Sequence, residues 1–166
     1  IMLVKMCDLD SARHHYGVHH PKVSAQLRKH DEEFGAILEA LRRKGTLEET
    51  NIVILGDHGQ TDIRDVIHLN ILLRDAGFIR LNEDGSLASY DAIIHSCALT
   101  AYVELADPED LEMKAKVRTF LESLRDDDRV KLAYVMDRDE AKKNFHVDGA
   151  FDFILESSLP VSFGEN

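Results

Sequence analysis

The sequence predicts an α/β fold built on a parallel sheet, and two observations carry that reading. Residues 1–7 and 51–55 are short, near-continuously apolar runs, and each passes directly into a polar loop. Strands buried on both faces of a parallel sheet have this character. Between them, residues 21–44 repeat apolar side chains at spacings of three and four: Val23, Leu27, Phe34, Ile37, Leu38 and Leu41. That is the period of an amphipathic helix. Strand, loop, helix, strand, loop is a βαβ unit, and its crossover should open both loops on the same sheet edge.

The elements follow in order. In the first strand, two-residue alternation puts Asp8 and Asp10 on one face and Cys7, as a packed thiol, on the other. The long helix has Pro21 near its start and Gly45 after its end, the usual punctuation. Residues 67–76 form a second helix stopped by Gly77, and residues 78–81 lead into a turn at 82–86 with a hairpin to follow. Residues 98–105 read as a strand. Pro108 opens a helix through about Leu124, with a stripe of Leu111, Val117, Phe120, Leu121 and Leu124. A strand at 130–136, a short helix at 139–144 and a final strand at 150–156 complete the pass. Without repeats or an interdomain linker, residues 1–166 read as a single α/β domain. Ile1 stands in an apolar run already in progress and Gly164-Glu165-Asn166 offers no closing element, so the domain is expected to be an incomplete part of a larger catalytic domain.

Composition narrows the function. The 166 residues carry 20 Lys+Arg against 31 Asp+Glu, a formal net charge of −11. Such a chain repels a polyphosphate backbone, so nucleic acid is not an expected partner. No apolar stretch reaches the roughly 18 to 20 residues that span a bilayer, so neither is a membrane. Any phosphate handled here needs a cation. Two cysteines, Cys7 and Cys97, suggest a reducing compartment and a cytoplasmic location.

Two loops carry chemistry. The first is Asp10-Ser11-Ala12-Arg13-His14-His15-Tyr16-Gly17 and the second is Asp57-His58-Gly59. Each follows the end of an expected parallel strand, where ligands collect in open α/β sheets. Each offers a carboxylate and an imidazole, donors suited to Zn²⁺ or another divalent first-row metal. Alone, either is an ordinary turn, with Asp bonding backbone amides and Gly supplying positive φ. Together, on neighbouring strand ends, they suit a pair of metals about 3.5–4 Å apart that clamps a phosphoryl group.

The motifs Asp10-x-x-x-His14-x-x-Gly17 and Gly56-Asp57-His58-Gly59, with Asp31 and Phe34-Gly35-Ala36-Ile37-Leu38 on the helix between them, resemble the alkaline phosphatase superfamily. The nearest branch is the type I phosphodiesterase/nucleotide pyrophosphatases. Looser likeness continues through Asn70-Ile71-Leu72-Leu73, Gly77-Phe78 and Phe151-Asp152-Phe153-Ile154-Leu155. The resemblance implies an alkaline phosphatase-like fold, a mostly parallel sheet flanked by helices in three layers, and two divalent metals, zinc first and manganese as an alternative. It makes Asp10 and His14 ligands of one metal, and Asp57 and His58 ligands of the other. It implies hydrolysis of phosphodiester or pyrophosphate bonds in small molecules such as nucleotides. In that family a Thr or Ser nucleophile and a further metal-binding Asp precede the first motif, and a metal-binding His follows in a Gly-x-His-Gly-like context. None of the three has a counterpart in these residues. The catalytic nucleophile is therefore expected in the remainder of the same polypeptide, and the 166 residues alone are expected to be inactive and to bind metal weakly or not at all.

Neighbouring residues are weighed against this. Asp8, Asp31 and His15 are candidates for supporting positions around the metals. Asp31, on the apolar stripe, would have to hydrogen-bond a loop to offset its burial. Thr61 follows the second motif, whereas the family nucleophile precedes both, so it reads as a loop residue. His19 and His20 read as a solvated cluster, and His95 and His146 as hairpin and turn residues. Alternative functions are a phosphomutase or phosphomonoesterase of the same superfamily, or a non-catalytic metal-binding module.

Overall fold

The computed structural model describes residues 1–164 and shows an α/β protein whose contacts group into two compact units, Ile1–Asp62 and Ile63–Asn166. Glu165 and Asn166, the last two residues of the expected chain end, lie outside the described residues. None of the described helices is long and apolar enough to cross a membrane.

The first unit is helical. Helix α1 spans Asp8–Tyr16, and helix α2 spans Pro21–Lys44, the range its periodicity predicts. Pro21 occupies the first helical turn of α2, and the His20 side chain accepts a hydrogen bond from the Lys22 amide. At the other end Gly45 adopts φ 73°, and the amides of Gly45 and Thr46 close on the carbonyls of Arg42 and Leu41. A left-handed residue here costs least as glycine. A short 3-10 turn, Leu47–Glu49, follows.

Two expected strands do not form in this unit. Residues 1–7 and 51–55 have no ladder partner among the described residues and are exposed throughout. A parallel strand requires hydrogen-bonded neighbours and apolar cover on both faces, so sequence alone cannot make one. The chain instead turns helical at Asp8, and Asp10 and His14 stand on a helix rather than in a loop at a sheet edge. Helical geometry also separates Asp8 from Asp10, which strand alternation would have paired. Cys7 is exposed at the start of α1 and is not a packed thiol.

The second unit holds the sheets. Strand β1 (Asp65–Ile67) and β8 (Val161–Phe163) form a parallel pair. Helix α3 (Leu69–Asp75) leads to a hairpin of β2 (Ile79–Leu81) and β3 (Leu87–Tyr90), turned at Asn82–Ser86 by an Asn82 amide bond to the Ser86 carbonyl. The main sheet contains β4 (Ala92–Cys97), β5 (Thr100–Leu105), β6 (Leu132–Asp137) and β7 (Phe153–Ser157) in the order β4-β5-β7-β6, every pair antiparallel. The strand set is thus mixed, with one parallel pair among the described residues rather than a parallel majority. Helix α4 (Leu111–Ser123) contributes Val117 and Leu121 to a core that includes Leu69, Leu73, Val103, Phe153 and Leu155, all completely buried. Helix α5 (Arg138–Phe145) begins with a capping box in which Asp137 accepts from the Glu140 amide and Glu140 accepts from the Asp137 amide.

Candidate functional site

The four candidate ligands lie in the first unit. One turn of α1 separates Asp10 and His14, and Asp10 Oδ1 stands 3.5 Å from His14 Nε2. Two donors on one tetrahedral zinc, with bonds of about 2.0–2.2 Å, are about 3.4 Å apart. The i, i+4 spacing of the first motif therefore has a physical basis, since those positions face one another on a helix. Asp57 and His58 lie in the exposed segment after residue 55. His58 Nε2 is 3.8 Å from Asp57 Oδ2, and the His58 amide donates to Asp57 Oδ1 at 3.1 Å. The His58 ring is 2.9 Å from the Gly59 carbonyl through Nδ1. A carbonyl can only accept, so Nδ1 donates to it, and in the neutral ring Nε2 is the nitrogen left for a cation.

Contacts from the second loop reach α1. Gln60 Nε2 donates to Asp10 Oδ1 at 2.9 Å, while Gln60 Oε1 lies 3.5 Å from the Arg13 guanidinium. Asp62 Oδ1 accepts from the Val18 amide at 2.9 Å. Gly17 has φ 88°, and a side-chain carbon there would sit 3.3 Å from Asp62 Oδ1. The glycine that closes the first motif thus meets both a left-handed backbone and a close approach. The His58 pKa is raised above its ordinary value, first by the Gly59 carbonyl, then by the Asp57 charge, with a smaller contribution from Asp10.

The loop of the second motif thus touches α1 through Gln60, and the contact joins a helix and a loop, not the carboxyl edge of a parallel sheet. Donor chemistry and the Asp10–His14 separation fit a divalent cation. Each pair supplies two donors, and no group of three or more His, Cys, Asp or Glu gathers among the described residues. A catalytic zinc site normally uses three plus water.

The supporting candidates divide. Asp8 accepts from Gln26 and Lys29 of α2, through Oδ2 at 3.3 and 3.4 Å. Asp31 lies exposed on α2 with no polar partner among the described residues rather than buried against a loop, so its carboxylate needs no compensation. His15 packs edge-on against the Tyr16 ring, and Tyr16 also stacks with His20 and lies beneath the Lys22 ammonium. Thr61 is an exposed loop residue. In the second unit His95 pairs with Glu104 across the β4–β5 hairpin, and His146 ends α5 at φ 58°. Gln60 and Asp62 are the site residues that motif reading missed.

An acidic α/β protein with this pair of Asp/His motifs falls among the phosphoester hydrolases of the alkaline phosphatase superfamily. Within it, residues 1–164 match the model of the type I phosphodiesterase / nucleotide pyrophosphatase family, and the chain belongs to that family. No solved structure matches it.

Proposed function

We propose that these residues supply cation-holding side chains of a hydrolase that cleaves phosphodiester or pyrophosphate bonds in small molecules such as nucleotides. The observation that carries this is the Gln60–Asp10 hydrogen bond, which draws the Asp57-His58-Gly59 loop to the helix bearing Asp10 and His14. Asp10 with His14 would hold one divalent cation, and Asp57 with His58 the other. Mixed oxygen and nitrogen donors favour zinc, with manganese as the alternative. When bound, such a pair supplies the positive charge that a phosphoryl group needs in a protein of net charge −11.

The chain's own residues orient and charge the site. Asp10 and Asp57 provide negative charge, and His58 presents Nε2 because Nδ1 is committed to Gly59. The overall acidity favours a small-molecule partner over a nucleic-acid backbone. The nucleophile and the remaining ligands are assigned to the rest of the polypeptide, following the family pattern. Two exposed free thiols, Cys7 and Cys97, accord with a reducing, cytoplasmic setting.

The test is hydrolysis of bis(p-nitrophenyl) phosphate and of p-nitrophenyl phosphate by the full polypeptide, before and after chelation and Zn²⁺ addition. The proposal expects zinc-dependent turnover of the diester, brought to near background by His58→Ala. Turnover of the monoester alone would move the assignment to a phosphomonoesterase. A protein that retains no metal and turns over neither ester would be a non-catalytic member.

A further inference from the structure

Gln60 sits between two groups of opposite character. Its amide nitrogen faces the Asp10 carboxylate at 2.9 Å and its amide oxygen faces the Arg13 guanidinium at 3.5 Å. A carboxylate only accepts and a guanidinium only donates, so these neighbours dictate the amide's orientation. They also dictate the residue. Glu cannot donate to Asp10, Lys cannot accept from Arg13, Met does neither, and Asn falls one methylene short. The bond joins positions fifty apart in sequence, and Asp62 adds a second tie from the same loop to the Val18 amide at the end of α1.

We infer that Gln60 is a positioning residue: its amide fixes the Asp10 carboxylate toward His14 and fastens the Asp57-His58 loop beside it. This rests on the metal-binding reading proposed above and deepens it. An ionised carboxylate oxygen offers two lone pairs, so the Gln60 bond to Oδ1 leaves one there, and both on Oδ2, for a cation. A carboxylate on an exposed helix otherwise samples several rotamers, and ordering it on metal arrival costs affinity. Hydrogen-bond partners of metal ligands typically change affinity by about 10- to 100-fold when removed. The effect of Gln60 should fall at the lower end, because Asp10 is half exposed.

The experiment is Zn²⁺ titration of the full polypeptide by calorimetry, for the unsubstituted protein, Gln60→Met and Arg13→Met. Thermal unfolding of each metal-free form is recorded alongside. In a second arm, the Gln60 side-chain amide resonances are followed by NMR without metal, with and without Asp10→Asn. The inference expects about tenfold weaker zinc binding in Gln60→Met at an unchanged unfolding midpoint, and less than a twofold change in Arg13→Met. It expects the Gln60 amide resonances to move in Asp10→Asn. Equal zinc affinity in Gln60→Met and the unsubstituted chain would overturn the role of Gln60 and leave the metal reading standing. So would a weakening of Gln60→Met matched by a lowered midpoint, or a Gln60 amide indifferent to Asp10→Asn. Absence of zinc binding by the unsubstituted full polypeptide would overturn the metal reading itself, and this inference with it.

Discussion

The two units of this protein are held together by different means. In Ile63–Asn166 the side chains of Leu69, Leu73, Val103, Leu121, Phe153 and Leu155 are completely buried in one apolar cluster. In Ile1–Asp62 Val23 is the buried hydrophobic residue among the described residues, while Ile1, Leu3, Val53, Ile54 and Leu55 are largely exposed. The motif-bearing unit takes its geometry from helix caps and polar ties such as Gln60–Asp10 and Asp62–Val18. The other takes it from burial, at about 25 cal/mol for each square ångström of apolar surface. Chemistry and packing are therefore separable here, and substitutions in the two units should differ in what they change.

The largest expected effect is in the core. Phe153→Ala should destabilise the protein by about 3–5 kcal/mol through lost burial and a cavity. Leu27→Ala, on the exposed part of α2, should change stability by no more than about 0.5 kcal/mol. Urea denaturation of both compares the units directly, and equal costs would break the contrast.

Next comes Asn70. Its amide donates to the Ile94 carbonyl and accepts from the Ile94 amide, both at 2.8 Å, so one side chain completes the hydrogen bonding of strand β4 at the edge of the main sheet. Asn70→Leu leaves both backbone groups unpaired and should cost about 2 kcal/mol, read in the same denaturation experiment. A neutral result would mean that water replaces the amide without loss.

A smaller effect is expected at Arg118, which joins α4 to Asp137 and Glu140 in the capping box of α5, with contacts of 2.9 Å to each. The guanidinium is partly exposed, so solvent screening limits Arg118→Met to about 1 kcal/mol. Amide exchange localised to α5 would confirm where that loss falls.

The smallest effect is at Asp148, whose carboxyl is lowered from 3.8 to about 2 by the Lys142 ammonium and the Arg138 guanidinium. A carboxylate held lower in the folded state than in the unfolded chain stabilises above its ordinary value. That contribution is lost as pH falls through the folded value. The difference in unfolding midpoint between the unsubstituted protein and Asp148→Asn should thus be constant above about pH 5 and shrink steadily toward about pH 1. A difference undiminished at pH 2 would show that charge is not its origin.

The same contrast explains what the sequence made legible. Helix α2 was readable to its ends because Pro21, Gly45 and a 3.6-residue stripe are local features. The hairpin after Gly77, helix α4, helix α5 and the strand near Phe153 follow from similarly local turn and period cues. The runs at residues 1–7 and 51–55 have the composition of buried strands, but a strand is made by its neighbours, and no pairing partner for them is among the described residues. The short strands β1 and β8 were missed for the converse reason, since three residues carry too little periodicity to distinguish a strand. The Asp/His motifs were visible as residue types at fixed spacing. Gln60 was not, because its importance lies in a contact with a residue fifty positions away.

In the proposed function, Asp10, His14, Asp57 and His58 act as one metal-binding locality. Nitrogen-15 NMR of the histidine rings during Zn²⁺ addition tests it most directly. The prediction is that the Nε2 resonances of His14 and His58 shift together at low metal, with those of His95 and His146 unmoved. Shifts spread equally over all the histidines, or confined to His14 or His58 alone, would contradict it.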